Sequence, residues 1–105
     1  NGGRGAMKEA LALAADLEAV VCFSDVIAYG AIEQIRTSGK EPGKDIAVVG
    51  FDDLEDSRLM SPALSTVHVD ANQIAIAVCQ ILTNIKDGNR NKILVGVDLI
   101  ERESS

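Results

Sequence analysis

The stretch Ala19-Val20-Val21-Cys22-Phe23-Ser24-Asp25 decides how this chain is read. An apolar run rich in β-branched residues ends abruptly in a hydroxyl and a carboxylate, after which Ile27, Ala31 and Ile35 recur on one helical face. A continuous run of that kind predicts a strand covered on both faces, as in a parallel sheet. Ser24 or Asp25 can cap the helix that follows, and Gly39 with Pro42 stops it. The same grammar returns downstream. Ile46-Ala47-Val48-Val49-Gly50-Phe51 predicts a second buried strand, and Asp52-Asp53-Leu54-Glu55-Asp56-Ser57 opens a short helix or turn whose free amides favour acidic side chains. Strand followed by helix, twice over, predicts an α/β fold: a mostly parallel sheet flanked by helices, joined by right-handed crossovers.

Upstream, Met7, Ala10, Leu11 and Ala14 fall at i, i+3, i+4 and i+7 and predict an amphipathic helix from about Arg4 to Asp16. Downstream, Pro62 ends the acidic segment, and Leu64-Ser65-Thr66-Val67-His68-Val69 predicts a short extended stretch. Asp70 and Gln73 stand in a capping-box arrangement ahead of a helix bearing Ile74, Val78, Ile81, Leu82 and Ile85, which Gly88 closes. Asn89-Arg90-Asn91 reads as loop, Ile93 to Ile100 as β-rich, and the remainder as a polar tail ending at Ser105.

At 105 residues, with 47% apolar and 25% charged side chains, the chain has the size and balance of one globular domain. No apolar run approaches the ~20 residues that cross a bilayer, and the start lacks the apolar core of a signal peptide. A net charge of -6, spread along the chain, repels phosphate backbones, and with no Trp and one Tyr there is little on which bases could stack. Cys22 and Cys79 each lie in apolar stretches without a CxxC partner and are expected as buried free thiols.

In open parallel sheets, ligands sit beyond the carboxyl ends of the strands. Ser24-Asp25 and Asp52-Asp53 follow the two predicted strands at equivalent positions, so parallel strands would bring both pairs to one rim. There they can accept hydrogen bonds from the hydroxyls or N–H groups of a small polar ligand, or serve only as helix caps. The acidic run from Asp52 to Asp56 lacks the spacing of a calcium loop and suits a solvated helix start. His68 is the sole histidine, so no multi-histidine zinc site can form, and no metal or cofactor is expected. Cysteines in apolar patterns make poor nucleophiles, and the glycines around Lys40 and Lys44 miss the phosphate-loop spacing and precede a strand. No enzymatic constellation is visible.

Several segments resemble one family in order. Val20 to Ala31 is similar to its strand and Asn-Asp helix start, with Ser24 where Asn is usual. Asp45 to Asp53 resembles its Gly-Phe-Asp-Asp rim, Ser61 to Val67 its Pro-x-Leu-Thr-Thr-Val segment, and Leu99 to Ser104 its closing Leu-Val-x-Arg-x-Ser. Together these resemble the C-terminal part of the effector-binding domain of LacI/GalR-type transcriptional regulators. The resemblance implies a fold like a periplasmic sugar-binding protein, with residues 1–105 a single fragment of the effector-binding and dimerisation domain. It implies effector contact by Ser24 and Asp52, with Asp25 shaping the rim, and a small effector of sugar or nucleoside-like kind. It further implies a cytoplasmic homodimer, with the helix from about Val26 to Ser38 and the segment Arg58 to Met60 at the interface. Operator DNA would be reached only through a headpiece absent from this chain. The apolar face of Ile74, Val78, Ile81 and Leu82 is then expected to be hidden by a second copy. The alternative is a fragment of a transporter's sugar- or solute-binding protein, which shares the architecture.

Overall fold

The computed structural model describes residues 2–85, 88 and 92–105. Helices and strands alternate in the order α1 (Gly2–Leu13), β1 (Ala19–Val21), α2 (Asp25–Thr37), β2 (Ala47–Val49), α3 (Glu55–Leu59), β3 (Thr66–Val69), α4 (Ala71–Ile85) and β4 (Val97–Ile100). β1 and β2 run parallel, with Ala19 opposite Ala47 and Val21 opposite Val49. A further parallel bridge from Val49 to Ser65 extends the pairing toward β3, and β3 pairs with β4. The expected α/β architecture with parallel pairing is therefore present.

The chain divides into two compact units, residues 1–68 with 99–105, and residues 69–98. The core of the first joins Met7 of α1, Ala28, Ala31, Ile32 and Ile35 of α2, and Cys22, Ile46, Val48 and Leu64 from the strands and their flanks. Gly3 allows α1 to approach α2 closely, because a Cβ there would strike the backbone carbonyl of Ile27. The final residues belong to this unit as well. Read as a polar tail, they instead lie along β2: the Val48 amide donates to the Ser104 carbonyl at 2.7 Å, and the buried Ser104 hydroxyl donates to the Val48 carbonyl at 2.6 Å. A short polar residue reads as solvent-exposed in sequence, but two backbone partners can satisfy it in the interior.

β1 departs from expectation. Its burial alternates, with Val21 83% exposed and Phe23 beyond it 90% exposed, so this strand is not covered on both faces. β1 pairs only with β2 among the described residues, and the face that carries both Val21 and Phe23 is open to solvent.

In the second unit, Asp70 starts α4 with one half of the expected capping box, its Oδ1 accepting from the amides of Asn72 at 2.9 Å and Gln73 at 3.4 Å, while among the described residues the Gln73 side chain makes no return bond to the Asp70 amide. Ala77 is its buried residue, whereas Ile74, Ile76, Val78, Leu82 and Ile85 are exposed. Cys79 is exposed too, correcting its expected burial, while Cys22 is buried as expected. Apolar periodicity marks a face that can be covered, and this small unit brings no second layer over Cys79. Strand structure begins only at Val97 within the β-rich segment, and the loop expected at 89–91 lies outside the described residues.

Candidate functional site

The parallel register of β1 and β2, carried past the strand ends, sets Ser24 opposite Asp52. Hydrogen bonds hold both chains there: the Cys22 amide donates to the Val49 carbonyl and the Asp25 amide to the Phe51 carbonyl, each at 2.8 Å. Ser24 and Asp52 consequently line one open depression of about 570 Å³, together with Val21, Cys22, Phe23 and Phe51. The sequence-predicted pair thus meets on one rim. The same register sets Phe23 opposite Phe51, and both also line the depression.

Ser24 also caps α2, its Oγ accepting from the Ile27 amide at 3.3 Å. Asp25 does something different. It is fully buried, and its carboxylate accepts from the Leu54 amide at 2.8 Å, the Ser57 hydroxyl at 2.6 Å and the Thr66 hydroxyl at 2.5 Å. Ser57 spends its one proton on Asp25, so the Tyr29 hydroxyl, 2.7 Å away, is the donor in their contact. Burial pushes the Tyr29 phenol up and keeps that proton in place. Asp25 thereby ties α2, α3 and β3 together behind the rim, and no part of it reaches the depression.

The turn at 52–54 is fixed as tightly. Asp52 and Asp53 both adopt positive φ, 113° and 55°, a region that costs a residue with a side chain on the order of 1–3 kcal/mol. All three amides have partners: that of Asp52 donates to the Val67 carbonyl at 3.0 Å, that of Asp53 to the Thr66 hydroxyl at 3.2 Å, and that of Leu54 to Asp25. The Asp53 carboxylate receives Arg102 Nη2 at 2.8 Å and pairs with His68 Nδ1 at 3.0 Å. Burial alone would raise its pKa, but the bonds from Arg102 and His68 prevail and hold it below the usual carboxylate value. Among the described residues nothing occupies the Asp52 carboxylate, which is left to solvent.

The remaining acidic residues are not gathered around a common point. Glu55 pairs with Arg58 on the surface of α3, and the described residues contain no cluster of potential metal ligands. Of the segments expected at a dimer interface, Val26 and Leu59 present apolar surface, Leu59 being 74% exposed, whereas Met60 packs against the core. No helix among the described residues is long and apolar enough to cross a membrane.

Residues 2–105 match the family described as periplasmic binding protein-like domain. The HTH-type transcriptional regulator MalR of Clostridium butyricum is 30% identical over 91 residues, covering 85% of this chain and 27% of its own length. The structure of the transcriptional regulator CelR in complex with cellobiose superposes with a TM-score of 0.88 at 28% identity, over 98% of this chain and 32% of that one. A lac repressor dimer bound to operator and the anti-inducer ONPF gives 0.85 at 30% identity, over 98% and 37%. The chain therefore spans roughly a third of these proteins. By profile, fold and relatives together, it belongs to the periplasmic binding protein-like family, in the branch formed by LacI-type transcriptional regulators.

Proposed function

We propose that this chain supplies one wall of the effector site, and a dimerisation surface, of a cytoplasmic LacI-type transcriptional regulator. The observation that carries the reading is the depression that Ser24 and Asp52 line together with Phe23 and Phe51. An unengaged carboxylate and a hydroxyl accept hydrogen bonds from ligand hydroxyls, and phenyl faces cover the C–H faces of a pyranose or nucleoside. Asp25 shapes the rim without touching ligand. The relatives are transcriptional regulators, which favours this reading over a transporter's binding protein and over an enzyme. Ligand acts in such a protein by binding one arrangement of the whole more tightly than another. DNA would be contacted through a headpiece outside this chain, whose own charge of -6 suits it poorly to phosphate.

NMR titration of the ¹⁵N-labelled chain with cellobiose, lactose and adenosine tests the site. Millimolar binding by at least one of them is expected, with amide shifts centred on Ser24, Phe51 and Asp52. Asp52→Ala should weaken it roughly tenfold, the worth of one hydrogen bond to a charged group. Shifts centred elsewhere, or an Asp52→Ala chain that binds as the parent does, would overturn the assignment.

The exposed apolar residues of α4 and Leu59 support a homodimer, since water-facing surfaces of that kind favour burial against a second copy. Sedimentation equilibrium at micromolar concentration should return twice the 11.1 kDa chain mass. A compact monomer refutes self-association of this chain.

A further inference from the structure

The positive-φ turn at Asp52 and Asp53 has to be held by something, and the group that completes the hold comes from the other end of the chain. Arg102 sits in the segment that follows β4 and lies outside the depression lined by Ser24 and Asp52. Its amide donates to Ser65 Oγ at 2.7 Å and its Nη1 to the Leu64 carbonyl at 2.9 Å, so the side chain is anchored where β3 begins. From there Nη2 reaches the Asp53 carboxylate at 2.8 Å, and both groups are largely shielded from water, at 17% and 20% side-chain exposure. His68 pairs with the other oxygen of the same carboxylate. Two partners on two different segments leave Asp53 little rotational freedom, and Asp53 is bonded through one peptide unit to Asp52.

We propose that Arg102 is a positioning residue for ligand capture: by pinning Asp53 it holds Asp52 in its positive-φ conformation, with the free carboxylate directed at the depression. The inference deepens the functional reading above and rests on Asp52 being the ligand contact. Without the Arg102 bond, Asp53 keeps only the Thr66 hydroxyl and His68 as partners among the described residues, so it would relax part of the time toward negative φ, and Asp52 would spend that time with its carboxylate elsewhere. Affinity would then fall by the lost fraction of competent conformers, with no ligand contact removed.

The test uses the labelled chain and two readouts. The three-bond HN–Hα coupling of Asp52 reports its φ directly, and a cellobiose titration reports affinity. Arg102→Met should move the coupling toward an average with extended conformers and weaken cellobiose binding about fivefold, within the range of coupling seen between linked residues. Arg102→Lys, which keeps a cation within reach of Asp53, should restore most of both. Asp53→Ala removes the acceptor while sparing Arg102's bonds to Leu64 and Ser65, so an unchanged coupling there counts against the proposal even where loss of Arg102 loosens the final segment. In an Asp52→Ala background, Arg102→Met should change affinity less than twofold, because nothing remains to be positioned. An unchanged Asp52 coupling in both Arg102→Met and Asp53→Ala overturns the proposal and leaves Arg102 as an anchor of the final segment. If cellobiose does not bind or ignores Asp52→Ala, the functional reading fails separately, and the coupling still decides whether Arg102 sets the turn.

Discussion

Replacing Asp25 by alanine should destabilise the chain by about 3–5 kcal/mol, a large part of the total stability of a domain this size. The substitution removes no apolar contact of note. Its cost lies in the three donors it strands: the Leu54 amide, the Ser57 hydroxyl and the Thr66 hydroxyl all point at a carboxylate that is entirely shielded from water. Each stranded donor costs on the order of 1–3 kcal/mol, less whatever a rotated hydroxyl or an entering water recovers. Asp25→Asn is the informative companion. Its oxygen can face Leu54 and Ser57, but its amide group then donates to a Thr66 oxygen that already accepts from the Asp53 amide, leaving the Thr66 proton without a partner. A smaller loss of about 1–2 kcal/mol follows. Urea unfolding followed by circular dichroism measures both, and an Asp25→Ala chain within 1 kcal/mol of the parent would show that Asp25 is not the tie between α2, α3 and β3.

The contrast between Asp25 and its neighbours shows which parts of the molecule were legible in the sequence. Apolar runs of Val and Ile ending in polar pairs announced parallel strand–helix units, and parallel pairing by itself requires Ser24 and Asp52 to share a rim. The start of α4 was equally plain, because Asp70 needs only amides two and three residues away. Asp25 was not. In sequence it is one more acid at a helix start, and its three donors come from residues 54, 57 and 66, which only the folded sheet brings to it. Asp53 and Arg102 are hidden for the same reason, as their contact spans forty-nine residues. Cover on both faces of β1 does not follow from its apolar run, which records what can be covered and not what lies over it: the face of Val21 and Phe23 is open to solvent. Ser104 is the converse, a polar residue taken inside because β2 offers a backbone donor and acceptor at the right place.

Gly50→Ala should be nearly as damaging, and for a reason of space alone. Gly50 follows β2 and is buried, and its amide donates to the Ser65 carbonyl at 2.9 Å. Its φ is not in the left-handed region, so an alanine could adopt the backbone angles. A Cβ there, however, would collide with Asp25 Oδ1 and come within 3.0 Å of Leu64 Cδ2 and 3.2 Å of Asp25 Cα. Leu64 is fully buried and belongs to the core, and Asp25 is held by its backbone amide to Phe51 as well as by its carboxylate. Neither can give way by a bond rotation. The methyl group must therefore push α2 from β2 or evict the carboxylate from its three donors, and overpacking of this kind costs about 3 kcal/mol. The two mutations act on one network, so their effects should not add: once Asp25 is alanine, the oxygen that the new Cβ would strike is gone. In urea unfolding, Gly50→Ala should cost at least 1 kcal/mol less in the Asp25→Ala background than in the parent. Additive losses would mean that the collision is absorbed by Leu64 and the strands, and that Gly50 is needed for close strand–helix approach independently of Asp25.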